Sequence, residues 1–197
     1  MFTGEKMFLV VGLGNPGAEY VGTRHNTGFA AVDAVAAKYA FAPFRSKFDG
    51  LIAEGKIGGE KVYLLKPQTY MNLSGNSVVK AAAFYKILPG NIVVIHDDMD
   101  LPAGRLKAKT GGGAGGHNGL KSIDAAVTPG YHRIRIGVGH PAAGDTVNYV
   151  LGHFSKSEQE QVDEAIALVA EEALPLLLTE GMPACANLLG MKTAAKK

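Results

Sequence analysis

Two short, almost wholly apolar runs constrain the fold of this chain most. The run at 7–11 ends at glycines, and the run at 92–95 leads directly into His96, Asp97 and Asp98. Runs of this length and composition are typical of strands buried within a sheet. After a loop, the first run is followed by apolar residues at helical spacing, which predicts a helix from about residue 26 to 40. Strand, loop and helix in this order predict an α/β fold.

A hairpin makes the predicted sheet mixed. Strand-like runs at 51–57 and 62–66 flank Gly58 and Gly59. Two adjacent glycines accept the positive φ angles of a tight two-residue turn. The two runs are therefore predicted to pair antiparallel. The other strands of the sheet can pair in parallel, so the sheet is predicted to be mixed.

Three features predict helices in the rest of the chain. Residues 74–85 have a helical pattern that ends before a Pro-Gly pair. Ser157 and Glu160 have the spacing of a capping box, which predicts the start of a long amphipathic helix interrupted at Pro175. Cys185 lies in an apolar stretch that is typical of a packed helix, so we interpret it as a core residue and not as a nucleophile.

Length and composition favour one globular domain, residues 1–197, with 47% hydrophobic residues and no internal repeat or linker. No apolar run approaches the roughly 18 residues that a membrane span needs. The first six residues lack the order of a secretory signal, so we expect a cytoplasmic protein without a membrane partner. A single cysteine excludes an internal disulfide and a cysteine-rich zinc site.

Basic residues are unevenly distributed, although the formal net charge is only +2. Residues 105–135 hold six basic side chains and one acid, Asp124, whereas residues 158–180 hold seven acids and no lysine or arginine. Basic side chains alternate with other residues in two stretches: Arg105, Lys107 and Lys109, then Arg133 and Arg135. In strands, each set would project from one face. The basic segment is therefore suited to receive phosphates, which the acidic one would repel.

The glycine motif at 12–17 fits a dinucleotide-binding pattern, G-x-G-x-x-G after a strand, and so raises an oxidoreductase as one alternative. Asp33 lies about where a ribose-binding acid is expected. However, Asp33 falls inside the predicted helix. A pyrophosphate site needs the helix to begin directly after the glycine turn, and here residues 19–25 lie between the two. The same glycines can simply form a tight turn.

Other common sites are less well supported. Residues 119–122 carry a leucine where a phosphate-binding loop needs lysine directly after glycine, and the chain has neither a G-x-S-x-G elbow nor an H-E-x-x-H helix. The run His96 to Asp100 could bind a hard cation, but consecutive side chains of an extended run point apart. We therefore predict no metal site and no cofactor.

The candidate functional residues are polar side chains on glycine-flanked loops: Asn15, His25, Asn72, Asp97, His117 and Asn118. A histidine can take a proton from water near neutral pH when a carboxylate fixes its tautomer and stabilises the imidazolium. Neutral amides can donate hydrogen bonds to a developing oxyanion. These residue types together suit hydrolysis, although any one of them alone is more often structural.

Five ordered blocks of the chain resemble the bacterial peptidyl-tRNA hydrolases. The blocks are VGLGNPG (11–17) with Tyr20 and TRHN (23–26), YMNLSG (70–75), HDDMDLP (96–102), GGGAGGHNGLK (111–121) and RIRIGVGHP (133–141). The resemblance implies a monomeric α/β domain with a mixed, twisted sheet between helices. It also implies hydrolysis of the ester between peptide and tRNA in peptidyl-tRNA, without a cofactor.

The resemblance implies a role for each matching residue. His25 would be the base that activates water, Asp97 would hold it in its basic form, and Asn15 would orient the scissile group. The peptide and the 3′ end of the tRNA would lie along Tyr20, Tyr70, Asn72 and Asn118, with Met71 packed below. Lys109 and Arg135 would bind tRNA phosphate, which agrees with the alternating cations described above.

Two alternatives remain within this interpretation. A non-catalytic RNA-binding relative of the same fold, such as the chloroplast splicing factors, would share the sequence blocks, but retention of His25, Asn15 and Asp97 argues against loss of catalysis. His117 is the competing base because it lies beside Asn118 in the glycine-rich loop. We expect so glycine-rich a segment to position a catalytic group poorly.

Overall fold

One mixed seven-stranded sheet organises the protein, and the computed structural model describes residues 6–195. The strand order is β2-β3-β4-β1-β5-β7-β6. The strands are β1 (Met7–Gly12), β2 (Arg45–Lys47), β3 (Gly50–Ile57), β4 (Glu60–Pro67), β5 (Ile92–Asp98), β6 (Leu106–Thr110) and β7 (His132–Gly137). Strand β1 pairs parallel with β4 and β5, and β5 pairs parallel with β7. The β2-β3, β3-β4 and β6-β7 pairs are antiparallel. The prediction of a mixed sheet is confirmed.

The predicted hairpin is formed by β3 and β4. Ile57 and Glu60 are the last paired residues, and Gly58 and Gly59 form the turn with φ angles of 59° and 83°. Residues with a Cβ rarely adopt two successive positive φ angles, so the glycine pair fixes the register of both strands.

Helices cover both faces of the sheet. They are α1 (Thr27–Lys38), α2 (Ser74–Tyr85), α3 (Asn118–Val127), α4 (Thr146–Val150), α5 (Lys156–Leu168), α6 (Leu174–Glu180) and α7 (Met182–Ala195). Phe8 and Val10 pack in the core formed with α1, α5, α6 and α7, whereas Leu9 and Val11 pack with α2 and α3. Because successive side chains of β1 enter opposite cores, its sequence is continuously apolar. The sheet lies between helices, as the family resemblance implied.

The helix predicted at 74–85 is confirmed, and α1 lies within its predicted bounds. The capping box lies two residues earlier than predicted. Ser155 caps α5 and Glu158 bonds back to it, so the helix starts at Lys156. The sequence allows both pairs, and the earlier one is used.

The interruption at Pro175 takes the form of a π-helical turn, Val169–Ala173, directly before α6. Proline has no N–H and clashes with the preceding turn, and a wider turn accommodates both effects. Cys185 is fully buried in α7, which confirms its interpretation as a core residue.

No helix among residues 6–195 is long and apolar enough to cross a membrane. The absence of a signal-like order was inferred from the first six residues, of which 1–5 lie outside the described part of the chain.

Candidate active site

A cavity of about 740 Å³ is lined by residues from the carboxyl end of β5, from β6 and β7, and from the loops before α1, α2 and α3. Eight of the nine residues predicted for the site line it: Asn15, His25, Tyr70, Asn72, Asp97, Lys109, Asn118 and Arg135. The ninth, Tyr20, lies in a 3-10 turn before α1 and is not among the lining residues. The sheet edge at which β5 ends thus gathers groups from distant parts of the sequence.

Asp97 is at the centre of a three-residue hydrogen-bond network. Its Oδ2 lies 2.8 Å from Nδ1 of His25, and its Oδ1 lies 2.8 Å from Nε2 of His117. The Asp97 side chain is 2% exposed, and the two histidine side chains are 14% and 10% exposed. One buried carboxylate therefore bridges two histidines that reach the cavity.

Hydrogen bonding fixes the tautomers of both histidines. An ionised carboxylate only accepts hydrogen bonds, so His25 donates through Nδ1–H and, when neutral, carries its lone pair on Nε2. Nδ1 of His117 accepts from the backbone N–H groups of Gly119 and Leu120, at 3.1 and 3.4 Å. His117 therefore carries its proton on Nε2 and donates it to Asp97. Both ring nitrogens of His117 are engaged.

Burial shifts the pKa values of Asp97 and His25 in opposite directions, and in both cases the hydrogen-bonded partners outweigh burial. Burial, the largest influence on Asp97, raises its pKa, but His117 and His25 outweigh it and hold that pKa well below its ordinary range. Burial of His25 lowers its pKa, but the charge and hydrogen bond of Asp97 more than offset this, and the pKa lies above the usual 6.5. The site thus holds an ionised carboxylate against a histidine whose proton affinity it increases.

His96 lies beneath this network. Its Nδ1 donates to the backbone carbonyl of Asp97, and its buried Nε2 has no hydrogen-bond partner among the described residues. Burial and the neighbouring His117 lower its pKa to about 4. His96 is therefore a neutral structural residue at pH 7.

Asn15 is held in one orientation by residues outside the predicted set. Its side-chain Oδ1 accepts from the backbone N–H of Met71 at 2.7 Å, which directs its Nδ2 donor elsewhere. Asn26 bonds the Asn15 backbone twice, accepting from its N–H at 2.8 Å and donating to its carbonyl at 2.9 Å. Asn26 was not predicted as a functional residue, and its position beside His25 in the TRHN block was the available signal.

Arg24 anchors the turn that carries His25. Its guanidinium lies 4.0 Å from the centroid of the Tyr149 ring, donates to the Tyr149 carbonyl at 3.1 Å and pairs with Glu158 at 3.5 Å. These contacts join the turn before α1 to α4 and α5. Sequence reasoning missed this role because its partners lie more than 120 residues away.

The residues predicted to line the path of the peptide lie where α2 and α3 begin. Asn72 belongs to the 3-10 turn before α2, and Asn118 is the first residue of α3. Met71 is buried, in agreement with a packing position below them. Tyr70 is 56% exposed and has φ 59° and ψ 155°, a conformation found almost only in glycine.

The cations within the two strands share one face, as predicted, but Arg105, which was predicted to alternate with Lys107 and Lys109, lies before β6 (Leu106–Thr110). Lys109 is paired with Arg133, and Lys107 with Arg135, directly across the antiparallel β6-β7 ladder. Arg135 and Lys109 line the cavity, and Nε of Arg135 lies 2.7 Å from Oδ2 of Asp98. Burial is the largest cause that lowers the pKa of Lys109, and the neighbouring guanidinium groups of Arg135 and Arg133 lower it further.

Arg133 differs from these cations, because its side chain is fully buried. Its guanidinium donates to the carbonyls of Gly113 and Gly112 at 2.8 and 2.9 Å and to Asp124 at 3.1 Å. Arg133 therefore anchors the glycine-rich loop, and the one acid of the basic segment is its partner.

The alternative sites have different structural explanations. Asp33 lies in α1 and pairs with Lys66, and two 3-10 turns separate β1 from α1, so a dinucleotide site of the common type is not formed. Among residues 6–195, only His25, Asp97 and His117 cluster closely enough to suggest metal ligands. Their 2.8 Å separations and fixed tautomers are accounted for by hydrogen bonds.

Comparison with known proteins gives a consistent result. The sequence model of the family described as peptidyl-tRNA hydrolase matches residues 9–197. The peptidyl-tRNA hydrolase of Methylocella silvestris is 56% identical over 172 residues, 87% of each chain. That of Rhizobium rhizogenes is 50% identical over 191 residues, 95% of this chain and 80% of the relative.

A solved structure has the same fold. The crystal structure of peptidyl-tRNA hydrolase from Acinetobacter baumannii superimposes with a TM-score of 0.88 at 44% identity, covering 93% of this chain and 94% of the other. With the family match over nearly the whole sequence, this chain belongs to the peptidyl-tRNA hydrolase family.

Proposed function

We propose that this protein hydrolyses the ester bond between peptide and tRNA in peptidyl-tRNA, and so recycles tRNA from stalled or aborted translation. The observation that carries the proposal is the Asp97 carboxylate bonded to Nδ1 of His25 in a cavity that also presents amides and cations. Membership in a family named for this reaction supports the same conclusion.

His25 is the general base of the proposed reaction. With Nδ1–H donated to Asp97, the Nε2 lone pair is the one available to take a proton from water. Asp97 fixes this tautomer and stabilises the imidazolium that forms, as the acid does in hydrolase triads. His117 is unsuited to the role because both of its nitrogens already have partners.

Asn15 and two further amides position the ester. Because Oδ1 of Asn15 accepts from Met71, its Nδ2 remains a donor for a carbonyl oxygen or for the oxyanion that develops from it. Asn72 and Asn118 line the same cavity and offer amide groups to the peptide and the terminal nucleotide. Tyr70, exposed at the rim, and Tyr20 are proposed to contact the substrate further out.

The reaction needs no covalent intermediate. Water loses a proton to His25 and attacks the ester carbonyl, and the tetrahedral intermediate expels the ribose hydroxyl, which receives that proton. An ester has a much better leaving group than an amide, so one base and preorganised donors suffice, and we propose no cofactor.

Lys109 and Arg135 are proposed to bind tRNA phosphate. Phosphate contacts supply most of the sequence-independent affinity for nucleic acid, and a bidentate guanidinium is well matched to phosphate. Asp98 occupies Nε of Arg135, which leaves the terminal amino groups as the available donors.

A tRNA substrate implies work in the cytoplasm, where translation occurs. We propose that the protein acts there as a monomer, as the family resemblance implies.

The direct test is incubation with N-blocked aminoacyl-tRNA and measurement of released free tRNA. We expect release from the blocked substrate and much slower release from unblocked aminoacyl-tRNA. Tight tRNA binding without release would contradict the proposal and would favour a non-catalytic RNA-binding relative.

A further inference from the structure

His117 and His25 share the Asp97 carboxylate, and their rings lie side by side. Each histidine contacts a different oxygen of the carboxylate at the same distance, 2.8 Å, and their ring centroids are 5.0 Å apart. A carboxylate so deeply buried has little access to water, so these two N–H groups are its principal source of stabilisation. The proposed mechanism uses only one of them.

The position of His117 is fixed from the backbone side as well. His117 is the N-cap residue of α3, and its Nδ1 accepts from two of the orphan N–H groups at that helix start. A proton on Nδ1 would be directed at these donors, so the Nε2–H tautomer is held by the helix itself. The donor that reaches Asp97 is therefore built into the start of α3.

We propose that His117 is a positioning residue whose Nε2–H shares the Asp97 carboxylate with His25 and so limits how strongly that carboxylate holds a proton on His25. The inference rests on the proposed role of His25 as general base. A base must be neutral to accept a proton from water, so a carboxylate that stabilises the imidazolium too strongly would leave His25 protonated at neutral pH.

The sign of the effect follows from competition for one negative charge. A hydrogen bond from His117 directs the positive end of an N–H dipole at Oδ1 of Asp97, the oxygen that is not bonded to His25. This partly compensates the carboxylate charge and reduces its attraction for a protonated His25. Loss of the His117 donor is therefore expected to raise the pKa of His25 above its already elevated value.

Other ionisable groups near His25 do not account for such a change. His96 stays neutral below the network, and Arg24, adjacent in sequence, is paired with Glu158. The charged side chains that line the rest of the cavity are Asp98, Asp100, Lys109, Arg133 and Arg135. All of them remain when only His117 is replaced, so a comparison with the unmodified protein isolates the contribution of His117.

The test uses His117→Asn, which separates the two contacts of this side chain. Asparagine is among the best N-cap residues, so it can cap α3 and hold Asn118 in place. Its side chain is too short to reach from that position to Asp97. His140→Asn is the matched control, because His140 is exposed and its Nδ1 bonds the neighbouring Pro141 carbonyl, away from Asp97.

Two measurements are made on each protein: the pH dependence of turnover of N-blocked aminoacyl-tRNA, and an NMR titration of the His25 ring. In His117→Asn we expect both midpoints to move up by about 1 pH unit, which is the size of shift that a nearby charge or hydrogen bond commonly produces. Turnover on the acidic side would then fall about tenfold, with little change at high pH. His140→Asn should move neither midpoint.

An unchanged or lowered His25 midpoint in His117→Asn overturns the proposal. A fall in melting temperature with an unshifted midpoint also overturns it, since His117 would then be only a helix cap. The NMR titration needs no activity, so a failure of this inference is distinguishable from a failure of the proposed hydrolysis, which would appear in the unmodified protein.

Discussion

The two walls of the cavity hold their polar groups in different ways. At the end of β5, Asp97 is buried and both of its oxygens are bonded at 2.8 Å to histidines. On β6 and β7, Lys109 and Arg135 are only partly buried, and the Arg135 guanidinium is tied to Asp98 through Nε. In the wall at the end of β5, each oxygen of Asp97 has a hydrogen-bond partner. In the wall formed by β6 and β7, the ends of Lys109 and Arg135 are open to the cavity.

The difference matches two different physical tasks. Proton transfer depends on geometry within a few tenths of an ångström and on a tuned pKa, and a buried network supplies both. Binding a polyanion depends on positive charge and tolerates movement of long side chains. The contrast predicts that the first wall governs turnover and the second governs affinity.

Replacing the proposed base is expected to have the largest effect. His25→Ala should reduce turnover by about 10²- to 10⁴-fold with little change in tRNA affinity, because general-base catalysis acts in the transition state. In the unmodified protein, turnover should rise with a midpoint above pH 6.5, since Asp97 raises the pKa of His25 and only the neutral ring accepts a proton. The His25→Ala profile should lack that limb. Near-normal turnover in His25→Ala would show that the wall at the end of β5 does not govern turnover.

Arg133 and Arg135 lie two residues apart on β7 and allow a matched comparison. Arg133→Met should destabilise the fold by about 3 kcal/mol, because it leaves two loop carbonyls without their buried donor and Asp124 with the Tyr131 hydroxyl in place of a charged partner. Arg135→Met should cost only about 1 kcal/mol but weaken tRNA binding. Urea denaturation and a tRNA binding assay measure the two effects. Equal loss of stability in both variants would show that the division between an anchoring and a binding arginine is wrong.

Lys109 sharpens the description of the cationic wall. Lys109→Ala should weaken tRNA binding and reduce the slope of log affinity against log salt by about 0.7 to 0.9 for each tRNA phosphate that the lysine neutralises, with turnover at saturation retained. Lys38→Ala, on the exposed end of α1, is the control of equal charge. Binding titrations over a range of salt concentrations give the slopes. Identical slopes for both variants would place the path of the RNA elsewhere on the surface.

Much of the sheet and its edge could be predicted because local signals were sufficient. The Gly58-Gly59 pair indicated a hairpin, and the continuous apolar runs indicated central strands. Asp97 follows shortly after one of these runs, which placed it at the carboxyl edge of the sheet. Local signals were ambiguous at the start of α5, where Ser155 and Ser157 both precede a glutamate by three residues. Only the packed structure selects Ser155.

The long-range parts of the site could not be predicted. Nothing in the alternation of Arg133 and Arg135 indicates that one is fully buried, since the difference arises from the loop carbonyls and Asp124. The family resemblance implied that Asp97 holds His25, but the bond from Asp97 to His117 brings in a third separate segment, and pairing of this kind is set by topology. The expectation that a glycine-rich segment positions His117 poorly did not take into account the contacts that anchor it through α3 and Arg133.

The smallest expected effect concerns Tyr70, an exposed residue at the rim of the cavity. Its backbone lies in a region that side chains with a Cβ rarely occupy, at a cost of about 1 to 3 kcal/mol. The residue is 56% exposed, so packing of the ring offsets little of that cost. Tyr70→Gly should therefore be about 1 kcal/mol more stable than Tyr70→Ala, after subtraction of the greater unfolded-state entropy of glycine. Both variants lack the ring, so both should raise the KM for N-blocked aminoacyl-tRNA to the same extent. Urea midpoints and steady-state kinetics measure the two quantities separately. Equal stability of the alanine and glycine variants would show that this backbone is not strained, and an unchanged KM in both would show that strain at this position does not serve to present the ring to the substrate.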